Sequence, residues 1–273
     1  MLLTCLIAAA VAGGGLHDSQ LTQDLSLEEV GFEPAGEERL ASGPELYAAG
    51  PHRLAALYDP VRREIVLLPV NGAPTHLSTG RLDDAAFVGE DLLLLDEAAR
   101  TLTLMDDRGT VLDRMPLPGL VPPGCRLAVD TDEAGQVVRA RDVFGNLHRL
   151  ARVDAQGLSP GDGPALLEAP SPITWDGEAL HFEGGTLALP GALAASGQWL
   201  DGERGWLMVD EVVSEGPLVV ERRFVHSDGE LTVHKYNREG AWRPGRDAAV
   251  SPEGVLLVLE PGQTDLTLRR VLP

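Results

Sequence analysis

The residues Asp130-Thr131-Asp132-Glu133-Ala134-Gly135 carry the acidic spacing that opens a calcium loop, where alternate side chains offer oxygen to a hard cation. The match stops at Ala134, where a further oxygen ligand is required. It fails again at Arg141, which stands where a bidentate glutamate would close the loop. The segment therefore reads as an acidic hairpin turn. His226 and His234 flank Ser227-Asp228-Gly229-Glu230, and Asp-Gly is a strong signal for a two-residue hairpin. Such a turn pairs His226 with Leu231 and His234 with Arg223, so the two imidazoles do not face each other and a zinc pair is disfavoured. His52, His76, His148 and His181 are scattered without metal-ligand spacing. A metal site could be assembled only from separate parts of the fold. There is no Gly-x-Ser-x-Gly elbow, no phosphate-cradling loop and no Cys-x-x-Cys-His haem site. No catalytic, cofactor-binding or metal-ligating residue is assigned, and no cofactor is expected.

The remaining large anchors are Trp175, Trp199, Trp206 and Trp242. Aromatic rings of this size dominate interfaces when exposed and lock structural layers together when buried. Trp242 lies in the loop-like Gly240-Ala241-Trp242-Arg243-Pro244-Gly245 and is the first candidate for a partner contact, with Trp199 second. Cys125 reads as a small buried apolar residue rather than an activated thiolate.

The elements that must position these groups are short strands. Ala85-Ala86-Phe87-Val88, Leu92-Leu93-Leu94-Leu95, Thr101-Leu102-Thr103-Leu104-Met105 and the run from Thr110 to Met115 are separated by Gly- and Asp-rich turns. This is a four-stranded meander. The unbroken Leu92–Leu95 run calls for a strand buried on both faces. The cycle recurs at 53–77 and 247–271, more weakly at 125–153, and further cycles fit around 171–194 and 197–236. No segment keeps a helical stripe over three turns. A repeat of roughly 35–45 residues is the period of propellers and solenoids.

Ser251-Pro252-Glu253-Gly254-Val255-Leu256-Leu257-Val258 resembles the turn-and-strand unit of NHL, YVTN and gluconolactonase-like β-propellers. The resemblance covers about 45–273 and identifies no single family. The marks of WD repeats are absent, since Trp175-Asp176 runs directly into the turn glycine Gly177. The resemblance implies an all-β fold of about six four-stranded blades, near 45–80, 83–119, 124–160, 170–194, 197–240 and 245–273. The fourth is short and the fifth long. A strand within 25–40 is expected to complete the last blade and close the ring. A β-sandwich is the alternative architecture.

Residues 1–15, MLLTCLIAAAVAGGG, look like the apolar core and cleavage region of a signal peptide, though no Lys or Arg stands in front of the apolar run. Residues 16–44 read as an acidic linker, and 45–273 as the propeller domain. The mature chain is expected to have no transmembrane span and to be periplasmic or secreted. The formal net charge is -20, and Lys235 is the only lysine. Such acidity repels phosphate backbones and argues against nucleic acid.

The function expected from these features is a non-catalytic binding or scaffold propeller. It would mediate protein–protein contacts in the cell envelope, within a larger complex. The alternative is a metal-dependent hydrolase of the lactonase type, because gluconolactonase-like propellers hold one divalent metal with carboxylates and asparagines from separate blades. Asn71, Asn146 and Asn237 are the asparagines available, and none can be carried over as a ligand. A carbohydrate-binding propeller is a third reading.

Overall fold

Strand residues alternate between two faces, so a run of four leucines fills two different apolar layers at once. The run Leu92–Leu95 does this. Leu92 and Leu94 pack with Ala56, Ile65 and Phe87, whereas Leu93 and Leu95 pack with Val138, Ala140 and Leu150. All four are buried. The computed structural model describes residues 21–26, 30–33, 42–117, 121, 123–132, 135–142, 146–161, 166–167, 173–182, 185–200, 205–215, 218–226, 231–232, 246–262 and 265–271.

The described residues form six antiparallel sheets. Strand β1 (Leu21–Ser26) stands first in the chain. The first sheet contains β2 (Glu45–Ala49), β3 (Ala55–Asp59), β4 (Glu64–Leu68) and β5 (Thr75–Ser78). The second contains β6 (Asp84–Val88), β7 (Asp91–Asp96), β8 (Thr101–Met105) and β9 (Val111–Pro116). The third contains β10 (Arg126–Asp132), β11 (Gly135–Arg141), β12 (Leu147–Asp154) and β13 (Gly157–Pro160), with β14 (Leu166–Leu167) also paired to β12. The fourth is β15 (Thr174–Trp175), β16 (Ala179–Phe182) and β17 (Gly185–Ala188). The fifth is β18 (Ala194–Trp199), β19 (Trp206–Glu215), β20 (Leu218–His226) and β21 (Leu231–Thr232). The sixth is β22 (Ala248–Val250), β23 (Leu256–Pro261) and β24 (Asp265–Val271), joined by β1 at its outer edge. That strand is Leu21–Ser26, so only its last two residues fall in the 25–40 window.

The chain divides into two units. One holds the first, second, third and sixth sheets. In it the leading strands lie in series: β22 beside β2, β2 beside β6, and β6 beside β10. Separate apolar layers fill the gaps between successive sheets. Leu57, Val66 and Leu68 meet Leu257, Leu259 and Leu268 between the first and sixth. The layer of Leu92 joins the first and second, and that of Leu93 joins the second and third. A β-sandwich would have a single core between two sheets. Several cores between fanned four-stranded meanders are the packing of propeller blades. Gly50 is required by this closeness: a Cβ there would lie 2.8 Å from the Phe87 ring.

The other unit holds the fourth and fifth sheets, around Leu180, Leu189, Trp199, Leu207 and Val209. The fourth has three strands and the fifth has the longest two, β19 and β20, as expected from the sequence. The two-residue turn expected at Asp228-Gly229 lies outside the described residues. On either side of it Val225 pairs with Leu231 and Phe224 with Thr232, where the expected register paired His226 with Leu231.

Part of the acidity has a structural role. Asp59 is fully buried and accepts the backbone N–H groups of Gly31, Val61 and Arg62 at 2.5, 2.9 and 3.0 Å. Asp106 takes those of Arg108 and Thr110, and Asp176 those of Glu178 and Ala179. Aspartates are favoured in turns for this reason.

Candidate functional site

In the four-sheet unit each leading strand starts at the same end, because the strands run in series and each sheet is a meander. Glu45 opens β2, Asp84 opens β6, Arg126 opens β10, and Arg246-Asp247 precede β22. Charged side chains from four sheets are thereby brought together.

Asp84 is the centre of this group and is 1% exposed. Its Oδ1 accepts the N–H of Ala85 at 2.8 Å, and its Oδ2 accepts that of Leu127 at 2.5 Å. Arg246 Nη1 donates to Asp84 Oδ1, and Arg246 Nη2 donates to the Asp83 carbonyl at 2.9 Å. The Arg246 guanidinium also lies 4.4 Å from the centroid of the Tyr47 ring, a cation–π contact. The backbone of Leu46 donates to the Arg246 carbonyl at 2.9 Å. Burial pushes the Asp84 carboxyl upward, and the Arg246 charge and the two N–H donors oppose that push. Arg246 is thus locked in place by a carboxylate, a carbonyl and a ring from two neighbouring sheets.

Arg126 stands near this cluster. Its guanidinium is held below the ordinary arginine range, first by burial and then by the Arg246 charge, with Asp84, Glu45 and Asp247 acting in the opposite direction.

A cavity of about 410 Å³ adjoins the group, lined by Glu45, Tyr47, Tyr58, Pro60, Arg63, Arg81, Leu82 and Asp83. The Tyr47 and Tyr58 rings lie 5.0 Å apart. The Tyr58 hydroxyl donates to the Gly80 carbonyl at 3.1 Å and accepts the Leu82 N–H at 3.2 Å. Arg63 has a left-handed backbone, φ 58°, which turns its carbonyl toward the N–H groups of Thr79 and Gly80. The wall is therefore fixed by hydrogen bonds. Burial raises both tyrosine pKa values, so these hydroxyls stay protonated and act as donors.

The sequence-predicted residues are placed differently. Trp242, the first expected partner contact, lies outside the described residues, as do residues 1–15, Cys5, His234 and Asn237. Trp199, the second, is 7% exposed and packs edge-on to Phe182 at 5.7 Å, 89° between ring planes. It is a core residue rather than an exposed contact, because its register opposite Leu207 turns the ring to the apolar face of β18. Trp206 is buried and meets the His226 ring edge-on at 5.0 Å. Asp130 pairs across the ladder with Arg139 at 2.8 Å, and Asp132 pairs in register with Gly135, which makes the acidic run a hairpin.

The scattered histidines have local partners. His148 contacts Asp142 at 3.0 Å, His181 contacts Asp176 at 2.7 Å and His76 contacts Glu64 at 2.8 Å. Asn146 is bound to Asp142. Among the described residues no group of three or more His, Cys, Asp or Glu side chains is placed to hold a metal ion. Cys125 is buried, and its thiol is pushed up to about 11 by burial and then by the charge of Glu97. No helix among the described residues is long and apolar enough to cross a membrane.

No family model and no curated protein sequence matches the chain. Solved structures similar to it include a streptogramin B lyase, 11% identical, covering 92% of this chain and 97% of that one at a TM-score of 0.47. A catalytically inactive virginiamycin B lyase from Staphylococcus aureus, with quinupristin, is 10% identical over 93% of this chain and 100% of that one, also at 0.47. A gluconolactonase from Xanthomonas campestris is 14% identical over 90% and 91%, at 0.40. Likeness at this level carries no activity across to this chain. Its own sheets make it an all-β protein built of propeller blades.

Proposed function

We propose that this chain is an exported, non-catalytic binding module that holds a protein partner in the cell envelope. The contact is made at the end of the four-sheet unit where the leading strands begin. The observation that carries the reading is the fixed wall formed by Arg246, Tyr47 and Tyr58 beside a 410 Å³ cavity. Groups held by Asp84, Gly80 and Leu82 lose little side-chain entropy on binding, which is what a recognition surface needs. Aromatic and arginine side chains are also the residues that dominate interface energies. The apolar, small-residue run at 1–15 supports export, and Trp242, four residues before Arg246 in the chain, supplies a further candidate contact.

The test is capture from an envelope fraction with the full chain and with Arg81→Glu, a change at a cavity residue whose side chain is 70% exposed. One partner should be retained by the native chain and lost by the variant. Equal retention by both, or no retained partner, contradicts the reading.

A further inference from the structure

We propose that Arg139 and Arg149 form a site for a compact, doubly charged oxyanion, a phosphate or sulfate group, on one face of the third sheet. The site shares no residue with the cavity above and goes beyond the binding reading.

The first and second sheets carry an apolar layer on each face. The third sheet carries one on a single face, made by Val138, Ala140, Leu150 and Ala151. Strand alternation puts Arg139 and Arg141 of β11, with Arg149 and Arg152 of β12, on the other face. A register shift in this ladder leaves Leu150 as an extra residue and brings Arg139 directly opposite Arg149. Like charges facing each other across a ladder oppose the pairing of the strands, and bulges that re-aim side chains are frequent beside functional sites.

The pair is short of negative charge. Asp130 holds Arg139 at Nη1, at 2.8 Å. Asp154, further along β12, accepts the Gln156 N–H in its own turn at 2.7 Å. Arg149, among the described residues, has no hydrogen bond and no ion pair. The Nε atoms of Arg139 and Arg149 are both buried without a hydrogen bond. Arg223 and Arg269 have such atoms too, but Glu211 and Glu260 pair with them. Arg149 is the one of these four with no carboxylate. A buried donor without an acceptor costs the fold the hydration it has given up.

The backbone makes room for this arginine. A Cβ at Gly161 would come within 2.6 Å of Arg149 Cγ, so the stem of Arg149 lies against the Gly161 backbone. The Gly161 N–H is itself bound to the Leu150 carbonyl at 3.2 Å.

The chemistry selects the ligand class. Two facing guanidinium groups offer two planar forks of N–H donors. One fork occupies both oxygens of a carboxylate, whereas a tetrahedral oxyanion has oxygens for both forks. Its second charge matches the second guanidinium, and Arg141 and Arg152 add positive charge to the same face. The chain's net charge of -20 disfavours a polyanion and leaves a single group, as a free ion or as a monoester.

The experiment is calorimetric titration of the full chain with sodium phosphate, glycerol 3-phosphate, sodium sulfate and sodium acetate, at constant ionic strength set by sodium chloride. It is run at about pH 8, where both phosphates are dianions. Arg149→Gln and Arg149→Lys are measured in parallel, together with the melting temperature of each protein without ligand. Phosphate, its ester and sulfate should bind saturably, and acetate at least about tenfold more weakly. Arg149→Gln should weaken each oxyanion at least about tenfold, the factor that accompanies loss of a charge-assisted hydrogen bond. Arg149→Lys restores the charge without the fork and should recover only a small part of that loss. At about pH 5.5 the ester has lost its second charge and should bind more weakly, while sulfate should not. Without ligand Arg149→Gln should melt no lower than the native chain. Tighter binding of the ester than of phosphate assigns the site to an esterified group, and the reverse assigns it to the free ion. No saturable binding, acetate as tight as the oxyanions, unchanged affinity in Arg149→Gln, full recovery in Arg149→Lys, a fall at low pH that sulfate shares, or a lower melting temperature in Arg149→Gln overturns the proposal.

Discussion

Arg246 and Arg126 occupy equivalent places, each leading into the first strand of a sheet, yet their surroundings are opposite. Arg246 precedes β22 and is bound by Asp84, by the Asp83 carbonyl and by the Tyr47 ring. Arg126 opens β10 and is partly buried, and burial and then the Arg246 charge hold its guanidinium below the ordinary arginine range. The first arginine ties the sixth sheet to the second and first. The second adds nothing comparable to the fold.

The largest effect expected from breaking this comparison is at Asp84. Asp84→Ala leaves the Arg246 charge and the Leu127 N–H without their acceptor. Removing one partner of a buried pair costs about 3–5 kcal/mol, so urea unfolding should shift by that amount. A loss under about 1 kcal/mol would show that the pair is not what joins the sheets. Tyr47→Leu should have a smaller effect, a loss of about 1–2 kcal/mol, because it removes the cation–π contact while keeping an apolar side chain. If Arg246 were held by Asp84 alone, Tyr47→Leu would leave the unfolding midpoint unchanged.

Cys125, the residue before Arg126, gives the smallest and most selective effect. Its thiol is pushed from 9.0 up to about 11 by burial and then by Glu97, Asp142 and Asp84. A folded pKa above the unfolded one means that the stabilisation is complete below pH 9. It is lost as the pH rises through 11. Cys125→Ala should therefore make the fall in stability over that window shallower. Tyr47 and Tyr58, also shifted upward, keep part of the slope. An unchanged slope would place the thiol in contact with water.

How much of this was legible in the sequence depended on how local each signal was. The meander from Ala85 to Met115 could be read because strand, turn and strand are adjacent in the chain, and the pairs Ala86–Leu93 and Leu93–Leu104 follow from it. The doubled burial of Leu92–Leu95 was legible for the same reason. The ends of β1 were less so, since its partner β24 is at the other end of the chain. Trp199 was recognisable as an anchor, but whether it faced the core depended on strand parity and on Ile173 approaching Gly197. The short ladder of β20 and β21 shows that a strong turn dipeptide does not fix register by itself.

The arginine cluster had no sequence signal at all. Asp84 reaches Leu127 across 43 residues and Arg246 across 162, and no spacing rule spans such distances. An acidic composition concealed the cluster further, because in this chain many aspartates serve turns.

The central claim is that Arg246 holds the fold together and Arg126 does not. Urea midpoints of Arg246→Gln and Arg126→Gln, measured side by side at pH 7 without added anions, test it most directly. Arg246→Gln should lose about 3 kcal/mol or more, since Asp84 is left buried and unpaired. Arg126→Gln should stay within about 0.5 kcal/mol of the native chain or gain stability. Equal losses in the two variants would contradict the account and make Arg126 a second structural tie.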